Sequence, residues 1–328
     1  MNRRVLGRTG LEVTELSLGG VFVSRVGGER EQGIATLHAA LDAGINYLDT
    51  SPSYADSETV LGEALAGETR PVILSTKFSG FASREEAHDP AALKRCFENS
   101  LRLLGRDYVD ILMVHEPDRP RQYDYWTDWD RFYGPVTDVL AELKAEGRIG
   151  FTGLGGTTAY QLPRVMDTGE YDVVLTAFNY SLLWREAEWE VLPTAARHNM
   201  GVVIGSPLQN GSLARRYDEE VSHGAPWLSL PRRRQYQALY ALLDETGMPL
   251  PEMGLRFVLS NPQVSTTLVG ARSPQEIMEA VEAVDRGPLP AELLARLQEI
   301  EAMVPFRPSG EPSGLPWGRE YRGPGWLQ

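Results

Sequence analysis

Eight short apolar runs, separated by stretches of helical periodicity, constrain this chain more than any other feature. They are ELSLGG (15–20), INYLD (45–49), VILSTK (72–77), YVDILMVH (108–115), IGFTGLG (149–155), VVLTAF (173–178), GVVIGSP (201–207) and TTLVGA (266–271). Near-continuous Val/Ile/Leu runs belong to parallel strands covered on both faces. Between them, apolar residues recur at helical spacing: Ile34, Leu37 and Leu41; Leu93, Phe97, Leu101 and Leu104; Val136, Val139, Leu140 and Leu143. Asp89-Pro90 supplies a cap and a first helical residue for the second stripe, and Gly147 ends the third. Helices also fit 57–66, 158–166, 186–198, 232–246 and 274–284. Eight strand–helix units in 328 residues predict a (β/α)8 TIM barrel, an architecture that reaches this size as one domain, here 1–328. RRVLGRTGLEVTEL at the start reads as a β-hairpin around Arg8-Thr9-Gly10, and a helix at 290–303 follows the barrel. Two long inserts, 116–134 and 208–230, and a C-terminal tail from 304 rich in Pro, Gly and Trp complete the chain.

In such a barrel the strand C-termini face the active mouth. Asp49 ends the second strand, Lys77 the third and His115 the fourth, and Tyr54 follows Asp49 in the next loop. Each has an ordinary reading by itself. An Asp before Thr-Ser-Pro is a turn former, a strand-end Lys makes a salt bridge, a loop Tyr is amphipathic cover and a lone His is structural. Their placement at successive strand ends is what points to one site. A tyrosine has a pKa near 10, and a nearby ammonium favours the phenolate. With Asp49 holding Lys77 and His115 meeting a substrate oxygen, the set can protonate a carbonyl or deprotonate a hydroxyl while hydride moves at carbon. Hydride needs a carrier, which implies a nicotinamide cofactor.

Composition narrows the partners. Net charge is −13 and no basic cluster exceeds the RRR at 232–234, which argues against nucleic acid and anionic membranes. The hydrophobic share of 42% allows a sizeable core, yet no apolar run approaches the 18 or so residues that span a bilayer. The N-terminus has arginines but no long apolar core, so a signal peptide is not expected. Cys96 is the only cysteine, which rules out an intrachain disulfide and suits a reducing cytoplasm; on its helix it reads as a buried structural thiol. A monomer or small homo-oligomer is expected. His115, Glu116 and Asp118 do not make a convincing metal set, because the first strand lacks the HxH pair usual in zinc barrels.

LDTSPSY, LSTK and ILMVH, in this order and on these strands, resemble the aldo-keto reductase superfamily. The resemblance runs from the hairpin to VGARSPQEI. It implies a (β/α)8 barrel, NADP(H) or NAD(H) as cofactor, and a catalytic tetrad of Asp49, Tyr54, Lys77 and His115. DTSPSY with SETVLGEAL is most similar to the branch of aldose 1-dehydrogenases acting on galactose or fucose types.

The cofactor site is expected at the barrel mouth, since GLGGTT at 153–158 lacks the spacing of a GxGxxG fingerprint. Ser273-Pro274-Gln275-Glu276 forms a capping box with Pro at the first helical position, so free N–H groups there can meet phosphate, with Gly270 and Arg272 just ahead. SPLQNG, carrying Ser206, Pro207, Leu208 and Gly211, resembles the family stretch that covers the pyrophosphate. Several family positions differ. The Ser-Asn pair that usually holds the carboxamide is Gly155-Gly156. The usual glutamine of the sixth strand aligns with Ala177, with Asn179 close by. The stacking aromatic is Gly205, and the adenine-contacting asparagine is Ala280. Glu276 falls where NADP-preferring members often carry Arg, whereas Arg272 would favour a 2′-phosphate; the balance leans to NAD(H).

On the substrate side, EPDRPRQYDYWTDWDRFYG (116–134) is dense in aromatics and acids. The resemblance makes Trp126, Trp129, Tyr125 and, in the tail, Trp317, Tyr321 and Trp326 candidate pocket walls for a small carbonyl or sugar. The alternative is that these aromatics anchor long loops to the barrel. Two other functions are open to this chain. One is a nicotinamide-binding sensor or regulatory protein with little turnover. The other is a two-carboxylate glycosidase, disfavoured because only Glu116 joins Asp49 as an acid near a strand end.

Overall fold

The computed structural model describes residues 1–119, 124–226 and 228–305. An N-terminal antiparallel hairpin, β1 (Arg3–Val5) and β2 (Glu12–Thr14), precedes the ring. The eight runs form β3 (Leu16–Gly19), β4 (Tyr47–Asp49), β5 (Ile73–Phe78), β6 (Val109–His115), β7 (Ile149–Gly156), β8 (Val173–Ala177), β9 (Gly201–Gly205) and β10 (Thr266–Val269). Each pairs in parallel with the next, and β10 pairs with β3 through Leu268↔Ser17, closing the barrel.

The core has two parts, separated by the two-residue period of a strand. Tyr47, Ile111, Met113, Val173, Leu175, Val203 and Leu268 fill the barrel interior, and Leu6 and Val13 from the hairpin pack into the same cluster. The alternate residues, such as Leu48, Leu74, Leu112, Val114 and Val174, face the surrounding helices. The hairpin lies close to the barrel wall at Gly7, where φ is +52° and an added Cβ would fall 2.2 Å from the Gly201 nitrogen.

The helices follow their local signals. Asp89 accepts from the Ala91 and Ala92 N–H groups, Pro90 opens the helix Pro90–Leu104, and Gly105 ends it in the left-handed conformation. Three expectations need correcting. Between β9 and β10 lie two long helices rather than one. Leu230–Thr246 packs on Ala291–Ala302 outside the ring, while Leu250–Leu259 packs on β10 and on Pro274–Asp285 as the barrel helix. The predicted helix 158–166 is shorter, Leu162–Met166. The stretch 186–198 divides into a 3-10 turn, Glu186–Glu188, and the helix Val191–Arg197.

Candidate active site

Strand parity carries inward-facing residues up to the C-terminal mouth. Tyr47 is followed by Asp49, Ile73 by Ser75 and Lys77, and Ile111 by Met113 and His115. On the other strands the same level holds Gly19, Gly155, Ala177, Gly205 and Gly270. All eight mouth residues line one cavity of about 990 Å³. The mouth is therefore divided: β4 to β6 present charged and polar groups, and the remaining five strands present glycine or alanine.

Asp49 and Lys77 are buried together. Lys77 Nζ donates to Asp49 Oδ1 at 2.8 Å, to Asp49 Oδ2 at 2.6 Å and to the Thr50 carbonyl at 2.7 Å. Ser75 donates to Asp49 Oδ1 at 2.7 Å and so fixes the carboxylate from below. Burial pushes the Lys77 ammonium below its ordinary pKa, and the charge and hydrogen bonds of Asp49 oppose that shift. Tyr54 lies in the loop after β4, where its N–H donates to the Ser51 carbonyl. Its ring centroid is 4.8 Å from Lys77 Nζ and 5.6 Å from the His115 ring, edge to face. His115 Nδ1 meets the Ser51 and Ser53 hydroxyls, both at 3.3 Å. Burial, reinforced by the positive charges of Lys77 and Arg119, holds the imidazole well below its usual pKa, so it is neutral at pH 7. The structure thus brings Asp49, Tyr54, Lys77 and His115 into one cluster.

The expected cofactor residues divide. Ser206, Pro207, Leu208, Gly211, Gly270, Arg272 and Glu276 line the cavity. Ser273 instead accepts from the Glu276 N–H at 3.2 Å as a helix cap, and Glu276 Oε2 reaches back to the Arg272 N–H at 2.8 Å. The Arg272 guanidinium lies over the Phe22 ring, 5.2 Å from its centroid. Asn179 faces away from the cavity. Phe178 adopts φ +68°, which brings Phe178 to the cavity wall and turns Asn179 into the interior, where its amide donates to Thr176 Oγ1 at 2.9 Å.

The aromatic insert serves as an anchor, which corrects the pocket-wall reading of Trp126 and Trp129. Trp126 is fully buried and donates its indole N–H to the Pro117 carbonyl at 2.9 Å. Tyr125 is buried too, its hydroxyl donating to the Phe78 carbonyl at 2.6 Å. Trp129 packs edge-on against Phe132, 6.3 Å between centroids, and none of the three is among the residues that line the cavity. Trp317, Tyr321 and Trp326 lie outside the described residues. Sequence reasoning missed Phe22, Thr157, Asn210 and Glu279 in the cavity wall. Asn210 lies within the SPLQNG stretch already singled out, and Thr157 follows the Gly155-Gly156 pair; Phe22 and Glu279 had no signal. Asp118 does not suit a metal, since its Oδ2 accepts from Thr157 N, Thr158 N and Thr158 Oγ1 at 2.9, 2.6 and 2.7 Å.

A closed parallel barrel whose mouth gathers Asp49, Tyr54, Lys77 and His115 on one side and glycine or alanine on the other fits an oxidoreductase. A profile of the aldo/keto reductase family matches residues 15–302. The chain is 30% identical to pyridoxal 4-dehydrogenase of Microbacterium luteolum, covering 85% of this chain and 92% of that protein. It is 28% identical to a putative voltage-gated potassium channel subunit beta of Schizosaccharomyces pombe, covering 92% and 94%. It is 29% identical to L-galactose dehydrogenase of Arabidopsis thaliana, covering 95% and 97%. The solved holo form of aldo-keto reductase AKR11C1 from Bacillus halodurans superposes with a TM-score of 0.75 at 27% identity, covering 94% of this chain and 98% of that one. The chain belongs to the aldo/keto reductase family, whose members use NAD(P)H.

Proposed function

We propose that this protein transfers hydride between a nicotinamide cofactor and a sugar (aldose) or another small polar aldehyde or alcohol. The observation that carries this reading is the buried Lys77–Asp49 pair beneath the Tyr54 ring, with a neutral His115 opposite. Tyr54 is the general acid in reduction and the base in oxidation. Lys77, held charged by Asp49 and Thr50, favours its phenolate form. When the Ser51 and Ser53 hydroxyls donate to Nδ1, the His115 proton sits on Nε2 and can be donated to the substrate oxygen. The cofactor, when bound, supplies or accepts the hydride.

The cavity suits a dinucleotide. The glycine and alanine half of the mouth leaves room for a flat ring beside the tetrad, and the cavity continues past Ser206 and Gly270 to the start of helix Pro274–Asp285. There the Glu276 carboxylate is fixed by the Arg272 N–H, and Glu276, Glu279 and Glu282 share the wall with Arg272 and Arg286, a balance that leans to NAD(H) over NADP(H). L-Galactose dehydrogenase among the relatives supports a sugar substrate, and the channel subunit supports a second reading as a cofactor-binding regulatory protein.

Fluorescence titration with NADH and NADPH, followed by a 340 nm assay against aldoses and small aldehydes, tests both. NADH is expected to bind more tightly, with turnover. Tyr54→Phe should keep cofactor affinity within about twofold and lose about 10²–10⁴ in kcat. Near-normal turnover in that variant would refute the role of Tyr54, and binding without turnover in the native protein would favour the regulatory reading.

A further inference from the structure

Beneath the Asp49–Lys77 pair, two buried hydroxyls stand in line. Ser75 lies directly across from Asp49 in the β4–β5 register, and Tyr47 is one inward-facing position below Asp49. Both are buried, and Tyr47 packs among the apolar Ile111, Met113, Val173 and Leu175. Ser75 Oγ is 2.7 Å from Asp49 Oδ1 and 3.0 Å from the Tyr47 hydroxyl. Among the described residues neither hydroxyl has a further hydrogen-bond partner. Packing does not require them, since phenylalanine would fill the place of Tyr47 with no buried hydroxyl to satisfy.

The direction of this chain is fixed. A carboxylate only accepts, so the Ser75 proton points at Asp49 and its oxygen accepts from Tyr47. Burial, with the charge of Asp49, holds the Tyr47 hydroxyl well above its ordinary pKa, so its proton stays in place. Two O–H dipoles therefore point in series at Asp49, and such dipoles reinforce each other in a low-dielectric interior. Burial also drives the Lys77 ammonium towards giving up its proton, and the nearest base is Asp49, 2.6 Å away. That transfer would leave a neutral amine and a neutral acid, with no cation near the Tyr54 ring. Hydrogen bonds donated to a carboxylate favour its ionised form and oppose the transfer.

We propose that Ser75 and Tyr47 are positioning residues acting through Asp49: their aligned hydroxyls keep the Asp49–Lys77 pair ionic and so keep a positive charge beneath the Tyr54 phenol. The inference rests on the oxidoreductase reading, in which Tyr54 is the acid–base group. The other charges around the pair sit on other elements. Glu58, on helix Ser57–Ala64, accepts from Thr76 Oγ1 at 2.7 Å and acts on Lys77. Asp110 lies low on β6 and acts on Tyr47, while neutral His115, Glu116 and Arg119 lie at the end of β6 and beyond it. All of these are common to native protein and the variants below, so they cancel in the comparison.

The test reads Tyr54 without a substrate, by the ultraviolet absorbance of its phenolate during a pH titration. Each protein is measured against the same protein carrying Tyr54→Phe, so that the other tyrosines cancel. In Ser75→Ala the Tyr54 phenolate should form about 0.5–1 pH unit higher than in native protein. Tyr47→Phe, nearly isosteric, should move it in the same direction by about half as much. The double variant should match Ser75→Ala alone, because Tyr47 reaches Asp49 only through Ser75. With the aldose turned over in the 340 nm screen, the acid limb of kcat for oxidation should move by the same amount at unchanged KM. An unmoved Tyr54 midpoint in either variant, shifts that add in the double variant, or a kcat lowered equally at every pH would overturn the proposal. Native protein whose Tyr54 ionises no earlier than a free tyrosine, or that turns over no substrate, would instead overturn the oxidoreductase reading.

Discussion

Replacing Lys77 by methionine tests the central pair most directly. The Lys77 and Asp49 side chains are 0% and 2% exposed, with nitrogen and oxygen 2.6 Å apart. At an effective dielectric of about 20 the gross attraction is about 6 kcal/mol, and the desolvation of two ions offsets most of it. The intact pair therefore adds little net stability. Removing one partner is different, because it leaves the other charge buried and uncompensated, at a cost of about 3–5 kcal/mol. Lys77→Met strands Asp49, which keeps only the Ser75 hydroxyl as a side-chain partner. Asp49→Asn costs less, because Lys77, already lowered in pKa by burial, can release its proton. In urea unfolding, Lys77→Met should lose about 3–5 kcal/mol, and adding Asp49→Asn should recover at least about 2 kcal/mol of it. All three proteins should lose turnover, since in each the cation beneath Tyr54 is gone or displaced. Additive losses, or a Lys77→Met cost below about 1 kcal/mol, would refute the claim that these charges are compensated chiefly by each other.

Two further predictions follow from other contacts. His115 is held neutral in the fold, with a pKa well below 6.5, so the unfolded chain takes up a proton on acidification that the native state does not. Its contribution to stability is complete above about pH 6.5 and declines below it, by up to about 1.4 kcal/mol per pH unit until the native imidazole itself titrates; urea midpoints at pH 7.5, 6.5 and 5.5 should fall less steeply in His115→Asn, and parallel slopes would contradict this. Gly155→Ala meets only ordinary contact with the Lys77 methylenes at 3.5 Å and should be neutral or slightly stabilising, whereas Gly156→Ala collides with buried Leu162 at 2.6 Å and should cost about 1–3 kcal/mol in thermal or urea unfolding.

The barrel was legible because its strands are buried on both sides and so stand out as unbroken apolar runs. The tetrad was legible because strand parity and strand order together place three polar residues at one level. What escaped depended on a proline-marked helix start, on a choice of face or on a single dihedral angle. Of the two long helices between β9 and β10, only the one at 232–246 was legible; Leu250–Leu259, which meets the barrel, was hidden by Pro249 and Pro251 at its start. The tryptophans of the 116–134 insert could have faced the cavity or the core by composition alone. Burial with a backbone partner, as at Trp126, is a long-range outcome. Asn179 was misplaced because one left-handed residue, Phe178, reverses which neighbour looks inward.

The divided mouth also has a consequence for how the chain assembles. Its polar half comes from β4, β5 and β6, which are consecutive in sequence and paired side by side. Its bare half spans Gly19 to Gly270 and is complete only when β10 meets β3, the most distant strand pairing in the chain. Distant pairings carry the largest loop-closure entropy and come late on a folding route. A partly built barrel can thus bring Lys77 and Asp49 together before it has a chamber for any ligand to enter, but both face inward, so ring closure is what removes the charged centre from solvent.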